Sequence, residues 1–180
     1  FSNIAKNVLL ITSEAYSKFI HPRDKSNRTI FGDGASATLV STEGFAEILD
    51  FELGTDGSGA KNLIVKNGAI RHPDLSGVDI SDDFNNIKND NHLFMNGSEI
   101  FSFTSDAIPS LVAKTLEKNK LVLGNINLFV LHQANKFILD HLRKKIKIPE
   151  DKKENKLSGN ILLCGFGVGY SWGSCIIKIN

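Results

Sequence analysis

Apolar residues come in short, branched runs in the first part of this chain and at helical spacing in the later part. Asn7-Val8-Leu9-Leu10-Ile11-Thr12 is a continuous apolar run of strand length, the pattern of a strand buried on both faces. Glu14 to Ile20 reads as a brief helical turn, ended at His21-Pro22 because the residue before a proline avoids helical angles. Arg23 to Asn27 reads as a polar loop. Ala35 to Val40 reads as a strand whose small side chains let its backbone pack closely against a neighbour. Ala46 to Leu53 and Leu63 to Val65 are further strands on either side of the glycine-rich turn Gly54 to Gly59. Residues 67 to 91 are polar and irregular, the composition of a covering loop or of a partly mobile stretch.

The longest helical pattern is Ser98 to Lys118, with Phe101, Ile108, Leu111, Val112 and Leu116 near one face. Pro109 lacks an amide donor and is expected to kink or divide it. Asn127 to Leu131 is a strand with His132 at its carboxyl end. A second helix follows from Asn135 to Ile146, expected to turn Phe137, Ile138, Leu142 and Ile146 inward and Lys136, Arg143, Lys144 and Lys145 outward. Ile161 to Cys164 is a strand running into Gly165 to Gly169, and Ser171 to Ile179 is its hairpin partner. Strands alternating with helices, then a closing strand pair, predict a mixed α/β sheet.

Composition narrows the classes of function. The 180 residues are 41% apolar and 23% charged, the balance of a globular domain. A formal net charge of +1 gives no global field for nucleic acid or an anionic membrane, and no basic stretch is interleaved with aromatic residues. No apolar run approaches the roughly 20 residues that would cross a bilayer. Cys164 and Cys175 match no zinc or redox spacing and read as buried, reduced thiols, which fits a reducing cytoplasm. Asp82, Asp83 and Asp90 lack the glycine and terminal glutamate of a calcium loop and read as solvated loop acids, so no metal site is expected.

Three features lie at strand ends, where α/β folds gather their sites. His132 can project into a cleft as donor or base, with Asn135 following at a helix opening as a cap or a ligand contact. Read alone, it is equally a satisfied structural histidine. Gly165-Phe166-Gly167-Val168-Gly169 can turn backbone amides toward a developing oxyanion or can be a plain tight turn. Asp33, between Gly32 and Gly34, reads better as a turn-fixing acid than as a catalytic one.

Taken in order, Phe31-Gly32-Asp33-Gly34-Ala35, Met95-Asn96-Gly97-Ser98-Glu99-Ile100-Phe101, His132-Gln133-Ala134-Asn135 and Gly165 through Ser174 are far more specific than any one of them. The series resembles the beta-ketoacyl-acyl-carrier-protein synthase III family of the thiolase superfamily, from about Lys6 to the carboxyl terminus. The resemblance implies a thiolase-like α/β fold, a mixed β-sheet with packed helices, incomplete as it stands. Residues 1–43 would end a first half-domain and residues 44–180 form the second. It also implies an acyltransferase that condenses an acyl thioester primer with malonyl-acyl-carrier-protein, with loss of carbon dioxide. A secondary-metabolite ketosynthase and a noncatalytic partner subunit of the same fold are the alternatives. By resemblance His132 stabilises the developing enolate, and the Val168 amide contributes to the oxyanion hole. Asn135, Gly97 and Phe101 lie along the channel for the phosphopantetheine arm, and Lys25 lies near the coenzyme A nucleotide. Lys136, Arg143, Lys144 and Lys145 could dock an acidic acyl carrier protein by charge complementarity, or form an ordinary solvated helix face. No cofactor is implied; coenzyme A and acyl-carrier thioesters are substrates. A cytoplasmic homodimer is expected, without membrane insertion or nucleic acid.

The chain departs from the family pattern twice. The nucleophilic cysteine is expected upstream, because neither Cys164 nor Cys175 stands at a strand-to-helix elbow. The asparagine loop that should precede the penultimate strand has no room between Glu150 and Gly159, so a segment is expected to be missing near residues 152–153.

Overall fold

The computed structural model describes residues 4–149, 157–167 and 169–179. Its elements are β1 (Asn7–Glu14), α1 (Lys25–Arg28), β2 (Gly34–Ser41), β3 (Ala46–Thr55), β4 (Leu63–Ile64), β5 (Ile80–Ser81), β6 (Ile87–Lys88), β7 (Phe94–Met95), α2 (Gly97–Lys118), β8 (Leu128–Leu131), α3 (Lys136–Ile146), β9 (Gly159–Gly167) and β10 (Ser171–Ile179). The chain divides into two compact units, Phe1–Gly44 with Leu63–Met95 and Phe45–Asn62 with Asn96–Asn180.

In the first unit β1 and β2 form an antiparallel pair, in register from Asn7 opposite Ser41 to Glu14 opposite Gly34. Both strands are exposed along almost their whole length, including Val8, Leu9, Leu10, Ile11, Leu39 and Val40. The apolar run at Val8–Ile11 is therefore not buried within this chain, contrary to its sequence pattern. Between the strands the expected turn is a short 3-10 segment at Tyr16–Phe19. The expected loop at Arg23–Asn27 is replaced in part by α1, which Asp24 nucleates by accepting the Ser26 and Asn27 amides at 3.0 Å each. The polar stretch 67–91 is less irregular than its composition suggests. β4 pairs with β7 and β5 with β6, and Asp82 fixes the β5–β6 turn through the amides of Phe84 at 3.0 Å and Asn86 at 2.9 Å. Asp82 is thus a turn-forming acid. Asp33 is also structural, but over a longer range: it takes the Ser17 amide at 2.8 Å and the Ser17 hydroxyl at 2.6 Å.

The second unit is built on a four-stranded sheet in the order β3-β10-β9-β8. β9 and β10 form the predicted hairpin, β3 adds antiparallel to β10, and β8 runs parallel to β9. α2 and α3 bury their apolar stripes with one sheet face: Ile108, Leu111, Val112 and Leu116 from α2, Ile138, Leu142 and Ile146 from α3, and Leu162, Cys164, Phe166 and Ile176 from the strands. α2 starts at Asn96, whose side chain accepts the Glu99 amide at 3.3 Å. It ends at Asn119, whose amide group accepts from Asp50 N (3.0 Å) and donates to Asp50 O (3.1 Å), tying the helix end to β3. Pro109 lies inside α2 without dividing it. A single lost backbone bond there is outweighed by the buried stripe on both sides.

Cys164 and Cys175 are both buried and free. In the β9–β10 register Cys164 faces Ser174 and Leu163 faces Cys175, so the two thiols point to opposite faces of the sheet.

Candidate active site

His132 follows directly on β8, and the chain path there is set by a ladder bond. Its amide donates to the Cys164 carbonyl at 2.8 Å, extending the parallel β8–β9 pairing one residue past Leu131. The imidazole is exposed and meets the Phe166 ring edge-on, with centroids 4.8 Å apart. The aromatic contact braces the imidazole at the end of the strand.

Three residues later Asn135 caps α3, its side-chain oxygen accepting the Ile138 amide at 2.9 Å. That confirms the capping role open to it from sequence. Gly97 opens α2 and is exposed, and a Cβ placed on it would meet nothing within 4 Å. Gly165 and Gly167, at the end of β9, have equally open surroundings. None of the three has the left-handed backbone that favours glycine, so nothing within the described residues demands glycine there. Phe101 is half-buried on α2, its ring 5.5 Å from Phe137 and 4.9 Å from His141. Phe137 itself is 70% exposed, which corrects the expectation that it turns inward. Placed at the start of α3, it lies beside the helix stripe rather than within it.

The glycine turn is held from the other side. Tyr170 stacks on Phe103 with centroids 4.0 Å apart and planes 4° from parallel, and its hydroxyl accepts from Asn62 Nδ2 at 2.6 Å. Its carbonyl accepts from Asp56 N at 2.8 Å and Thr55 Oγ1 at 3.0 Å, and its amide donates to Asp56 O. Gly59 lies under this ring and Gly54 under that of Trp172, and a Cβ at either would collide with the aromatic side chain. The residues at the carboxyl end of the turn are therefore clamped to the end of β3. A cavity of about 780 Å3 opens beside the clamp, lined in part by Asp56, Lys61, Glu99, Asp106 and Trp172.

Among the remaining candidates, Val168 and the expected deletion near residues 152–153 lie outside the described residues. Lys25 opens α1 in the first unit, and its side chain is exposed. On α3 the four basic residues are not equivalent. Lys136 is paired with Asp140 at 3.1 Å, Lys144 is exposed, Arg143 is half-buried, and Lys145 reaches back to α2. His141, Ser105 and the Tyr170 clamp are not legible in the sequence. Their spacings, Phe101 to Ser105 and Phe137 to His141, are one helical turn each and acquire meaning only when the helices are packed together. Burial pushes the Cys164 thiol up to about 12 and raises Cys175 as well, which removes both as ready nucleophiles. Among the described residues no group of three or more His, Cys, Asp or Glu side chains could hold a metal ion, and no helix is long and apolar enough to cross a membrane.

Comparison with known proteins gives one consistent result. The family model described as 3-oxoacyl-[acyl-carrier-protein (ACP)] synthase III matches residues 1–57, and that for its C-terminal part matches residues 116–158. The chain is 30% identical to the beta-ketoacyl-[acyl-carrier-protein] synthase III of Clostridium perfringens, covering 99% of this chain and 61% of that protein. Its counterpart in Streptococcus uberis is 32% identical, with 95% and 59% covered. A crystal structure of a 3-oxoacyl-(acyl-carrier-protein) synthase III superposes with a TM-score of 0.89 at 42% identity, covering 97% of this chain and 61% of the other. The enzyme of that type from Thermus thermophilus gives 0.78 at 29% identity, with 99% and 61% covered. The chain thus spans about three fifths of the length of the relatives it matches. The Clostridium alignment runs over 205 positions against 180 residues here, so it opens gaps in this chain.

Proposed function

The chain belongs to the 3-oxoacyl-[acyl-carrier-protein] synthase III family and has its thiolase-like α/β fold, and from that premise we propose that it forms the carboxyl-terminal part of a decarboxylating condensing enzyme. In this reading a thiolate outside these 180 residues takes an acyl group from a primer thioester. A malonyl thioester then loses carbon dioxide, and the electron pair of the broken carbon–carbon bond becomes an enolate. The enolate carbon attacks the acyl-enzyme carbonyl and expels the thiolate, giving a 3-oxoacyl thioester for fatty-acid synthesis. His132 donates a hydrogen bond to the malonyl thioester oxygen as charge grows on it. The Val168 amide serves the acyl-enzyme carbonyl in the same way, and the catalytic asparagine, like the thiolate, belongs to a part of the protein outside these 180 residues.

The observation that carries this reading is the placement of His132. Its imidazole stands exposed at the end of β8, braced by Phe166 and one ladder bond from the strand that runs into the open glycines 165 and 167. Glycines without an internal reason are consistent with a substrate that approaches the backbone. Gly97, Phe101 and Asn135 then line the arm channel, and Lys25 meets the coenzyme A nucleotide. Lys136, Arg143, Lys144 and Lys145 receive an acidic acyl carrier protein. The enzyme is proposed to be a cytoplasmic homodimer that needs no cofactor, with the sequence boundary between its half-domains at residues 43 and 44.

His132→Ala in the full-length protein tests this. Malonyl-thioester decarboxylation is expected to fall by about 10²–10³-fold, with formation of the acyl-enzyme from the primer within a few-fold of native. Unchanged decarboxylation would remove His132 from the mechanism.

A further inference from the structure

Beside the proposed channel, α2 and α3 are joined by a polar ladder that no sequence motif announces. Phe101 and Ser105 are one turn apart on α2, and Phe137, His141 and Lys145 follow at the same interval on α3. The outer rung is aromatic: Phe101 lies against Phe137 at 5.5 Å and against His141 at 4.9 Å, tilted by 33° and 54°. The inner rung is polar: His141 Nε2 is 2.9 Å from Ser105 Oγ, and Lys145 Nζ donates to the same hydroxyl at 2.9 Å. Asp106 lies 3.5 Å from that ammonium.

The chemistry of the hydroxyl makes this a directional fixture. An ammonium can only donate, so Lys145 occupies one lone pair of Ser105 and leaves the O–H and the second lone pair for the imidazole. His141 is thereby tethered to α2 at Nε2. Of the two rings that support Phe101, Phe137 is 70% exposed, whereas His141 is half-buried and anchored by this bond. Phe101 itself also packs against the buried core, so His141 is one support of its orientation and the better anchored of the two rings.

We propose that His141 is a positioning residue: through Ser105 below and Phe101 above, it sets the channel wall that receives the pantetheine arm of the thioester substrate. It touches no reacting atom. The inference rests on the reading of Phe101 as an arm contact. Loss of a correctly oriented wall weakens binding of the arm in ground and transition states alike, which raises KM and spares kcat.

The test uses the full-length protein, with malonyl thioester as the varied substrate and thermal unfolding measured on every variant. His141→Ala is expected to raise KM about five-fold and leave kcat within about two-fold. His141→Phe keeps a ring against Phe101 but loses the bond to Ser105, and is expected to bring KM only part of the way back toward native. His141→Gln keeps a partner for Ser105 but no ring and should behave like alanine. A merely structural role would lower the melting temperature of all three variants and leave KM unmoved. Phe101→Ala separates the two levels of the claim. If it raises KM while the His141 variants do not, the His141 inference alone is overturned. If Phe101→Ala leaves KM native, the arm reading falls and the inference falls with it. Should His141→Ala fail to fold, the Phe and Gln variants decide: equal, native KM values in both overturn the proposal.

Discussion

At the scale of single residues, chemistry was readable where backbone placement alone decides it. A histidine just past a strand and an asparagine at a helix opening hold those positions whatever packs around them, and His132 and Asn135 stand where the pattern put them. Residues whose role depends on a neighbouring helix were not readable: His141 is an ordinary polar residue until Ser105 arrives from α2. The cysteines lie between these cases. Their apolar surroundings predicted burial, and the structure adds the consequence that the Cys164 thiol is pushed up to about 12 by loss of solvent. At pH 8 that leaves on the order of one thiolate in 10⁴ molecules, too few for an acyl-transfer nucleophile. Iodoacetamide should therefore label neither Cys164 nor Cys175 in the native chain over a period that labels both in denaturant. An acyl-coenzyme A thioester should add no acyl mass to these 180 residues. An acyl adduct on Cys164 in the native state would mean that the nucleophile had been sought in the wrong place.

At the scale of elements, the strand hairpin and both long helices followed from periodicity, because each buries one apolar stripe or face in a common core. The misreadings have local causes. Pro109 was given weight as a breaker, yet its cost of one backbone bond is small beside the buried side chains of α2. The apolar character of Phe137 predicts a core position, whereas the residue sits at the edge of the stripe. α1 was missed because its only signal is the Asp24 cap in a polar run. The Tyr170 clamp was also hidden, since it joins the end of β3 to the turn before β10 through Thr55 and Tyr170, 115 positions apart in sequence. Gly59 needs no special backbone angle, and the three atoms nearest an added methyl all belong to the Tyr170 ring. Gly59→Ala is expected to destabilise the chain by about 1–3 kcal/mol in urea unfolding. In a Tyr170→Ala background the same change should cost well under about 1 kcal/mol, since no ring remains to be displaced. Additive costs would show that the glycine is required for some other reason.

At the scale of the whole molecule, the sequence and the structure disagree most usefully at β1. Val8 to Ile11 has the continuous apolar pattern of a strand covered on both faces, and the β1–β2 pair is covered on neither. Leu9 and Ile11 are 60% and 64% exposed, and β1 has one paired edge among the described residues. The pattern was written for surroundings that these 180 residues do not provide, and the chain spans only about three fifths of its relatives. An apolar two-stranded sheet with an open edge is a template for pairing with another copy. The isolated 180-residue chain is therefore expected to self-associate at micromolar concentration and to bind a hydrophobic dye. Leu9→Lys together with Ile11→Lys should suppress both, because alternate residues place the two charges on one face beside the edge. These side chains bury little area in the chain, so the double variant should unfold within about 1 kcal/mol of native. Sedimentation velocity over a hundred-fold concentration range reads the outcome. A native chain that stays monomeric throughout would show that the exposed strands are tolerated as they stand, and that the apolar pattern of β1 answers to something other than burial.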